Sequence, residues 1–283
     1  MDEVKNLSEY LAQISQIKNN KHHGVPVSSF TFFRGQADLD WEITPSLYRL
    51  GLFDSERLML TELQHVCPNE FVGNRFDILT KMQHYGMPTR LLDTTTNPLV
   101  ALYFACKDNS EKDGAVFIFP NLPVSWSNDP LIDLIMDYIF DFGPYFNLQH
   151  FLAHSKEKYG YVYQRHMPQD AHEMLRYLNL GALAVMPAKT NPRILAQDGA
   201  FFLFGMKLNF DKITQSGEYY KCSPADLKNP SQIWNYNTKI KIPSDCKKGM
   251  IEELDMLGIN ENRLFPDLPN QINYIVNRVK ENI

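Results

Sequence analysis

The sequence predicts an α+β fold, a single compact domain with a mixed central β-sheet and surrounding helices. Three observations predict it. Between residues 90 and 119 the pattern alternates strand, turn, helix and strand. The runs 114–119 (GAVFIF) and 200–204 (AFFLF) are unbroken apolar stretches of the kind buried strands carry, and residues 4–14 and 56–66 place apolar side chains at helical spacing. The chain has 283 residues, 44% hydrophobic and 22% charged, the balance of an ordinary globular protein. With no internal repeat and no linker composition, one domain is expected.

In chain order, Val4, Leu7, Leu11 and Ile14 share one face of a first amphipathic helix, with Asn6, Glu9 and Gln13 toward water. Residues 25–34 (VPVSSFTFFR) are β-branched and aromatic and run into Gly35, so they read as a strand closing in a turn with Arg34 at its end. In 41–50, Pro45 and Ser46 start a turn or helix; 56–66 and 77–83 are helices. After the helix ending near Cys106 come a charged loop at 107–113, the strand 114–119, a proline-punctuated loop at 121–130 and an apolar helix at 131–142. A variable helical and aromatic insertion spans about 121–180, read as a lid or a partner-reading region, although aromatic richness also suits a core. Residues 180–186 are a strand or buried turn, and 193–199 lead into the strand 200–204, which places Gln197 and Asp198 on its lip. A strand at 238–242, a helix at 247–257 capped by Gly258, and a last amphipathic helix with Ile272, Ile275 and Val279 on one face complete the chain. The expected division is 1–24 for the first helix and its connection, 25–270 for the main domain and 271–283 for the terminal helix.

The densest chemistry lies in residues 83–106. Gly86 and Pro88 punctuate a turn, the segment from Arg90 to Asp93 is extended, and Thr94, Thr95, Thr96 and Asn97 bring side-chain oxygens to a helix start. Pro98 fits the first helical position because its missing N–H costs nothing there. Thr and Asn are ordinary caps, yet three successive threonines beside Arg90, Asp93, His84 and Tyr85 exceed what one helix terminus needs. Leu99, Leu102, Tyr103 and Cys106 recur at helical spacing, so one face of that helix is buried. His84 reads first as a hydrogen-bonded structural residue and second as a general base.

Composition removes several functions. A net charge of −5 argues against a broad nucleic-acid-binding face. Cys67, Cys106, Cys222 and Cys246 show no metal or disulfide spacing and read as reduced thiols. The adjacent His22 and His23 point apart, so no metal site is expected. An acidic, polar start and the lack of a long apolar run predict a cytoplasmic protein without a membrane span. No Gly-rich phosphate loop marks an NTPase or a dehydrogenase.

A set of blocks resembles the FRG domain of bacterial proteins. They are Phe33-Arg34-Gly35-Gln36 with Trp41, Pro45-Ser46-Leu47-Tyr48-Arg49, and His84-Tyr85-Gly86 through Thr89-Arg90-Leu91-Leu92-Asp93. Asn97-Pro98-Leu99, Ala101 to Ala105, Arg193-Ile194, Gln197, Gly199-Ala200-Phe201 and the segments near 254–259 and 264–268 continue it. The chain departs from that pattern at Thr94, where the family usually has Trp, and at Asp198, where a second Gln is usual.

The order of blocks is also similar to ADP-ribosyltransferases, which implies a central split or mixed sheet, NAD as substrate and no metal. On that likeness the catalytic set is Arg34, Thr95, Gln197 and Asp198. Arg34, with Gly35, holds the pyrophosphate or adenosine ribose; Thr94 or Thr95 bonds the nicotinamide ribose; Tyr85 or Tyr103 stacks on nicotinamide; and Arg90, Asp93 and Asn97 complete the cofactor site. Asp198 leads Gln197 as the group that stabilises positive charge, and Gln36, His84 and Arg193 are secondary. The implied role is a toxin of bacterial anti-phage defence that modifies a protein or nucleic-acid acceptor, with an antitoxin or sensor partner. A non-catalytic sensor and a nucleic-acid-processing effector are the alternatives.

Overall fold

The computed structural model describes residues 2–19, 29–108, 110–143, 145–166, 181–213, 220–224 and 238–281. In chain order these form β1 (Asp2–Glu3), α1 (Leu7–Asn19), β2 (Ser29–Gln36), α2 (Ser46–Arg49), α3 (Glu56–Val66), α4 (Arg75–His84), β3 (Leu91–Thr95), α5 (Pro98–Cys106) and β4 (Gly114–Trp126). There follow α6 (Pro130–Phe142), β5 (Tyr145–Phe146), α7 (Leu148–His166), β6 (Ala182–Met186), α8 (Pro192–Ala196), β7 (Gly199–Phe204), β8 (Met206–Ile213), β9 (Tyr220–Pro224), β10 (Thr238–Ile242), α9 (Lys247–Met256), α10 (Glu261–Leu264) and α11 (Leu268–Glu281). His22 and His23 lie outside the described residues.

The mixed sheet is present, but it is not split. Strands run in the order β1-β10-β4-β2-β3-β7-β6, and β4 also pairs with β6, which closes β4, β2, β3, β7 and β6 into a five-stranded barrel. Closure depends on the length of β4. The expected loop at 121–130 is strand as far as Trp126, and this extension pairs in parallel with β6 through Val124↔Ala184 and Trp126↔Met186. Asn121 has φ 55°, and the β2–β4 register shifts between Phe30 and Phe32, as in a bulge that bends a strand from one partner toward another.

Side-chain alternation then divides the strands into two faces. Phe32, Leu92, Phe117, Phe119, Phe202 and Phe204, with Ala115, Ala182, Ala184 and Ala200, form one cluster drawn from all five barrel strands, and so fill its interior. Phe202 meets Phe119 at 4.9 Å and Phe32 at 5.6 Å between ring centroids, both edge to face. Outside, Phe33, Val116 and Ile118 pack against α1, α5 and α9, while Leu91, Phe201 and Leu203 pack against α3, α4 and α6.

Several local expectations change. Arg34 lies within β2, because the strand runs on to Gln36 with Arg34 opposite Phe117. Gly35 is needed for close packing; α5 crosses directly over it. That helix is buried nearly all round, Val100, Ala101 and Ala105 joining Leu102, Tyr103 and Cys106, so its position is fixed on several sides. In α1 the inward face is Tyr10 and Ile14, joined by the buried Val4 just before the helix, with Leu11 in solvent; the Tyr10 hydroxyl donates to the Pro98 carbonyl at 2.7 Å. On α11, Ile272, Ile275 and Val279 are exposed. No described helix is long and apolar enough to cross a membrane.

Candidate functional site

A cleft of about 270 Å³ lies where β2, β3 and β7 meet α4, α5 and α8. Arg34, Gly35, His84, Asp93, Thr94, Thr95, Arg193 and Gln197 line it. Residues more than a hundred positions apart thus converge, because β3 pairs with β2 on one side and with β7 on the other.

Two helices start at the cleft by the same device. Asn97 accepts from Leu99 N at 3.0 Å and Asn191 from Arg193 N at 2.8 Å, each followed by a proline in the first turn. The repeated Asn-Pro pair was a signal for Asn191, which the sequence reading passed over. It also missed Gln83, whose side chain accepts from Thr89 and donates to Asp93 Oδ1 at 2.7 Å, so that it aims the carboxylate. The wall is completed by Phe33, Val100, Phe104, Ile194 and Phe201.

The β2–β3 register is carried by Phe33↔Thr95. Beside it the Arg34 guanidinium spans the strands, donating from Nη1 to the Asp93 carbonyl at 2.6 Å. Among the described residues its Nε is buried without a hydrogen-bond partner. Burial pushes the Arg34 pKa down to about 10, with Asp93 opposing and Arg49 adding to the shift, so the group stays charged at neutral pH. Burial also lowers His84, helped by Arg193 and opposed by Asp267, which favours a neutral imidazole. Arg193 lies over the Phe265 ring at 4.7 Å.

The three threonines have different surroundings. Thr95 Oγ1 donates to the Gln197 carbonyl at 2.7 Å and accepts from Asn97 N at 3.0 Å, which locks β3 to the turn before β7. Thr96 N donates to the Asp198 carbonyl at 3.1 Å. Thr94 is 6% exposed, and its hydroxyl is buried with no partner among the described residues.

Of the other expected site residues Gln197 is in the lining, whereas Asp198, Asn97, Arg90, Tyr85, Tyr103 and Gln36 lie apart from it. Asp198 is not on an extended segment: it has φ 46°, a left-handed turn conformation that Asp tolerates, and its Oδ2 accepts from Asn97 Nδ2 at 3.0 Å. Asn97 is thereby used as a cap and a clamp. Gln197 ends α8 and donates to the Leu264 carbonyl at 2.9 Å. Arg90 is 1% exposed; its Nε donates to Glu56 at 2.8 Å and its Nη1 to the Phe204 carbonyl at 3.3 Å, so it faces the α3 side instead of the cleft. Tyr85 projects into solvent, Tyr103 is buried in the core with its pKa raised by burial, and Gln36 is buried with its Nε2 directed to the Glu42 carbonyl at 3.4 Å. Among the described residues no group of three or more His, Cys, Asp or Glu could hold a metal ion.

The family model of the FRG domain matches residues 29–114, from the start of β2 to the start of β4, and the chain carries that domain. This span supplies Arg34, His84, Asp93, Thr94 and Thr95 to the cleft, while Arg193 and Gln197 come from beyond it. No curated protein and no solved structure matches the chain.

Proposed function

We propose that this FRG-domain chain binds NAD in the cleft and breaks its nicotinamide–ribose bond, passing ADP-ribose to a protein or nucleic-acid acceptor or to water. One observation carries the reading: a charged guanidinium with an unmet buried donor, Arg34, shares a cleft with a carboxylate held in place by an amide, Asp93 on Gln83. A cationic leaving group and an oxocarbenium-like transition state need positioning and electrostatics more than a strong base. Arg34 and Arg193 attract the anionic part of the ligand, and Asp93 stabilises positive charge developing at the ribose. Gln197 orients the ribose, and Thr95, whose hydroxyl is engaged at both ends, holds the turn. The cleft is near the lower end of small-molecule sites, so it takes one half of the dinucleotide and leaves the other across its rim. The reading rests on the cleft; the closed barrel differs from the split sheet that the transferase likeness implies. A toxin role in anti-phage defence, with an antitoxin or sensor partner, follows from the same reading as a proposal.

Labelled NAD, supplied with and without cell lysate, tests this through nicotinamide release and label transfer. Arg34→Ala is expected to lower the rate about 100-fold, the scale of losing a preorganised charged donor, while melting near the parent. Asp93→Asn should lower it comparably. Asp198→Asn should leave it unchanged, because Asn keeps both the turn conformation and an acceptor for Asn97. Equal rates for the parent and Arg34→Ala would sink the reading. The engagement of Asp93 by Gln83 and of Asp198 by Asn97 also favours a second reading, a sensor that binds NAD without consuming it. Saturable NAD binding with no nicotinamide release, in lysate as well as buffer, would select it.

A further inference from the structure

Helix α11 turns its apolar side to water. Leu268, Ile272, Ile275, Val276 and Val279 share one face at helical spacing, and each is between 44% and 71% exposed. The body meets the opposite face, through the half-buried Asn270, Gln271 and Tyr274. There Gln271 Nε2 donates to the Asn262 carbonyl at 2.7 Å and to the Phe265 carbonyl at 2.8 Å, so the polar side is committed inward. None of the five apolar residues belongs to the barrel interior or to either of the outer clusters. A helix of 14 residues is marginal in water by itself, and a contiguous exposed apolar stripe marks an interaction surface.

Spacing, charge and area identify what covers it. Leu268, Ile272, Ile275 and Val279 recur at intervals of four, three and four, the a/d seam of a two-stranded coiled coil, with Ile272 and Val279 at a and Leu268 and Ile275 at d. Reversed, the intervals read the same, so the seam is its own complement in antiparallel register. Leu268 then meets Val279 of a second copy, and Ile272 meets Ile275. Asp267 stands before the first turn of α11, and Arg278 and Lys280 lie in its last. Antiparallel pairing sets each acidic start beside a basic end and opposes the helix dipoles, whereas parallel pairing stacks like charges. The five side chains expose roughly 500 Å² per copy, so a pair buries about 1,000 Å², the size at which a specific interface begins. A lipid surface fits less well. Asp267, Arg278, Lys280 and Glu281 sum to no net charge, and Asn270, Gln271 and Asn273 are neutral amides, where membrane-surface helices carry a basic polar side.

We propose that α11 is a self-association helix, through which two copies of this chain pair Leu268, Ile272, Ile275 and Val279 in an antiparallel two-helix seam. The inference goes beyond the NAD reading and does not rest on it. One connection joins the seam to the cleft. The Leu264 carbonyl that accepts from Gln197 and the Phe265 ring beneath Arg193 lie immediately before α11, in the segment to which Gln271 is bonded. Pairing therefore anchors the segment that holds two cleft residues.

Sedimentation of the full chain over a concentration series should show a mass rising from 32.8 kDa toward twice that value. For an interface this small the dissociation constant is expected on the order of micromolar. Ile272→Asp places a carboxylate in the seam and should weaken association about tenfold or more, while its melting temperature at low concentration matches the parent's. Leu58→Asp, at a comparably exposed leucine of α3, should leave association unchanged. Cross-linking reads the orientation. Under mild oxidation an equimolar mixture of Leu268→Cys and Val279→Cys should form a covalent dimer, and neither variant alone should do so beyond the parent's background. Dimers from each variant alone, with none gained on mixing, would overturn the antiparallel order. A parent that stays monomeric throughout, or an Ile272→Asp protein that associates as the parent does, would overturn the proposal. Anionic vesicles bound by a monomeric parent and not by Ile272→Asp would give the face to a membrane instead.

Discussion

Glu56→Ala is expected to destabilise the protein by about 3–5 kcal/mol, the cost of stranding the other half of a buried ion pair. Glu56 and Arg90 are 2% and 1% exposed, the guanidinium donates to the carboxylate from Nε at 2.8 Å and from Nη2, and Nη1 reaches the Phe204 carbonyl. The Phe53 ring lies 5.6 Å from the guanidinium carbon. Glu56 opens α3, where a carboxylate is further favoured by the helix dipole. Truncation leaves a buried cation without its carboxylate partner. Its effect would reach the cleft, because Arg90 immediately precedes β3, the strand that carries Asp93, Thr94 and Thr95. Chemical denaturation measures the loss. The double variant Glu56→Leu with Arg90→Met is expected to recover most of it, since apolar replacement of a whole buried pair is often neutral. A single-variant loss below about 1 kcal/mol would contradict the structural role. Failure of the stable double variant to bind ADP-ribose would return Arg90 to the ligand site.

Arg90 shows where sequence reading stops. Beside a hydroxyl-rich turn, a cation reads alike whether it faces a ligand or the core, and its partner Glu56 is 34 positions away. Helical spacing made residues 56–66 legible because the periodicity of the helix is local. The unbroken run at 114–119 likewise marked a strand, but nothing local showed that the strand continues past Pro120 and Pro123. Its extension is stabilised by β6, which arrives some sixty residues later. Barrel closure was illegible for that reason. In the cleft, types of residue were legible and roles were not. The triplet at 94–96 marked the right turn, yet only strand pairing shows that Thr95 is engaged while Thr94 is not. The Asp198-Gly199 step carried its own warning, since that dipeptide favours turns.

Gly35→Ala should show the dependence of the site on backbone contact in one substitution. A Cβ built on Gly35 would lie 1.8 Å from the Ala101 carbonyl oxygen and 2.8 Å from Ala105 N. Both atoms belong to the α5 backbone, so no side-chain rotation relieves the clash, and β2 and α5 must separate. Helix α5 is held from several sides by Tyr10, Val116, Ile118, Met250 and Leu254, which leaves little room for it to retreat. Overpacking of this kind costs about 3 kcal/mol, at the upper end of the usual range, or roughly 6–12 °C in melting temperature for a domain near this size. The separation also moves Val100 and Phe104 on one wall of the cleft relative to Arg34 on the other. Ligand affinity should therefore fall even at temperatures where the variant stays folded. Gly249→Ala is the matched control, because Gly249 is in α9 with nothing within 4 Å of an added Cβ. There the change should stabilise by about 0.5–1 kcal/mol through helix propensity and leave binding alone. Thermal melts and ADP-ribose titrations of the two variants decide the matter: a Gly35→Ala protein that melts and binds like the parent would mean that β2 and α5 do not meet as the structure has them.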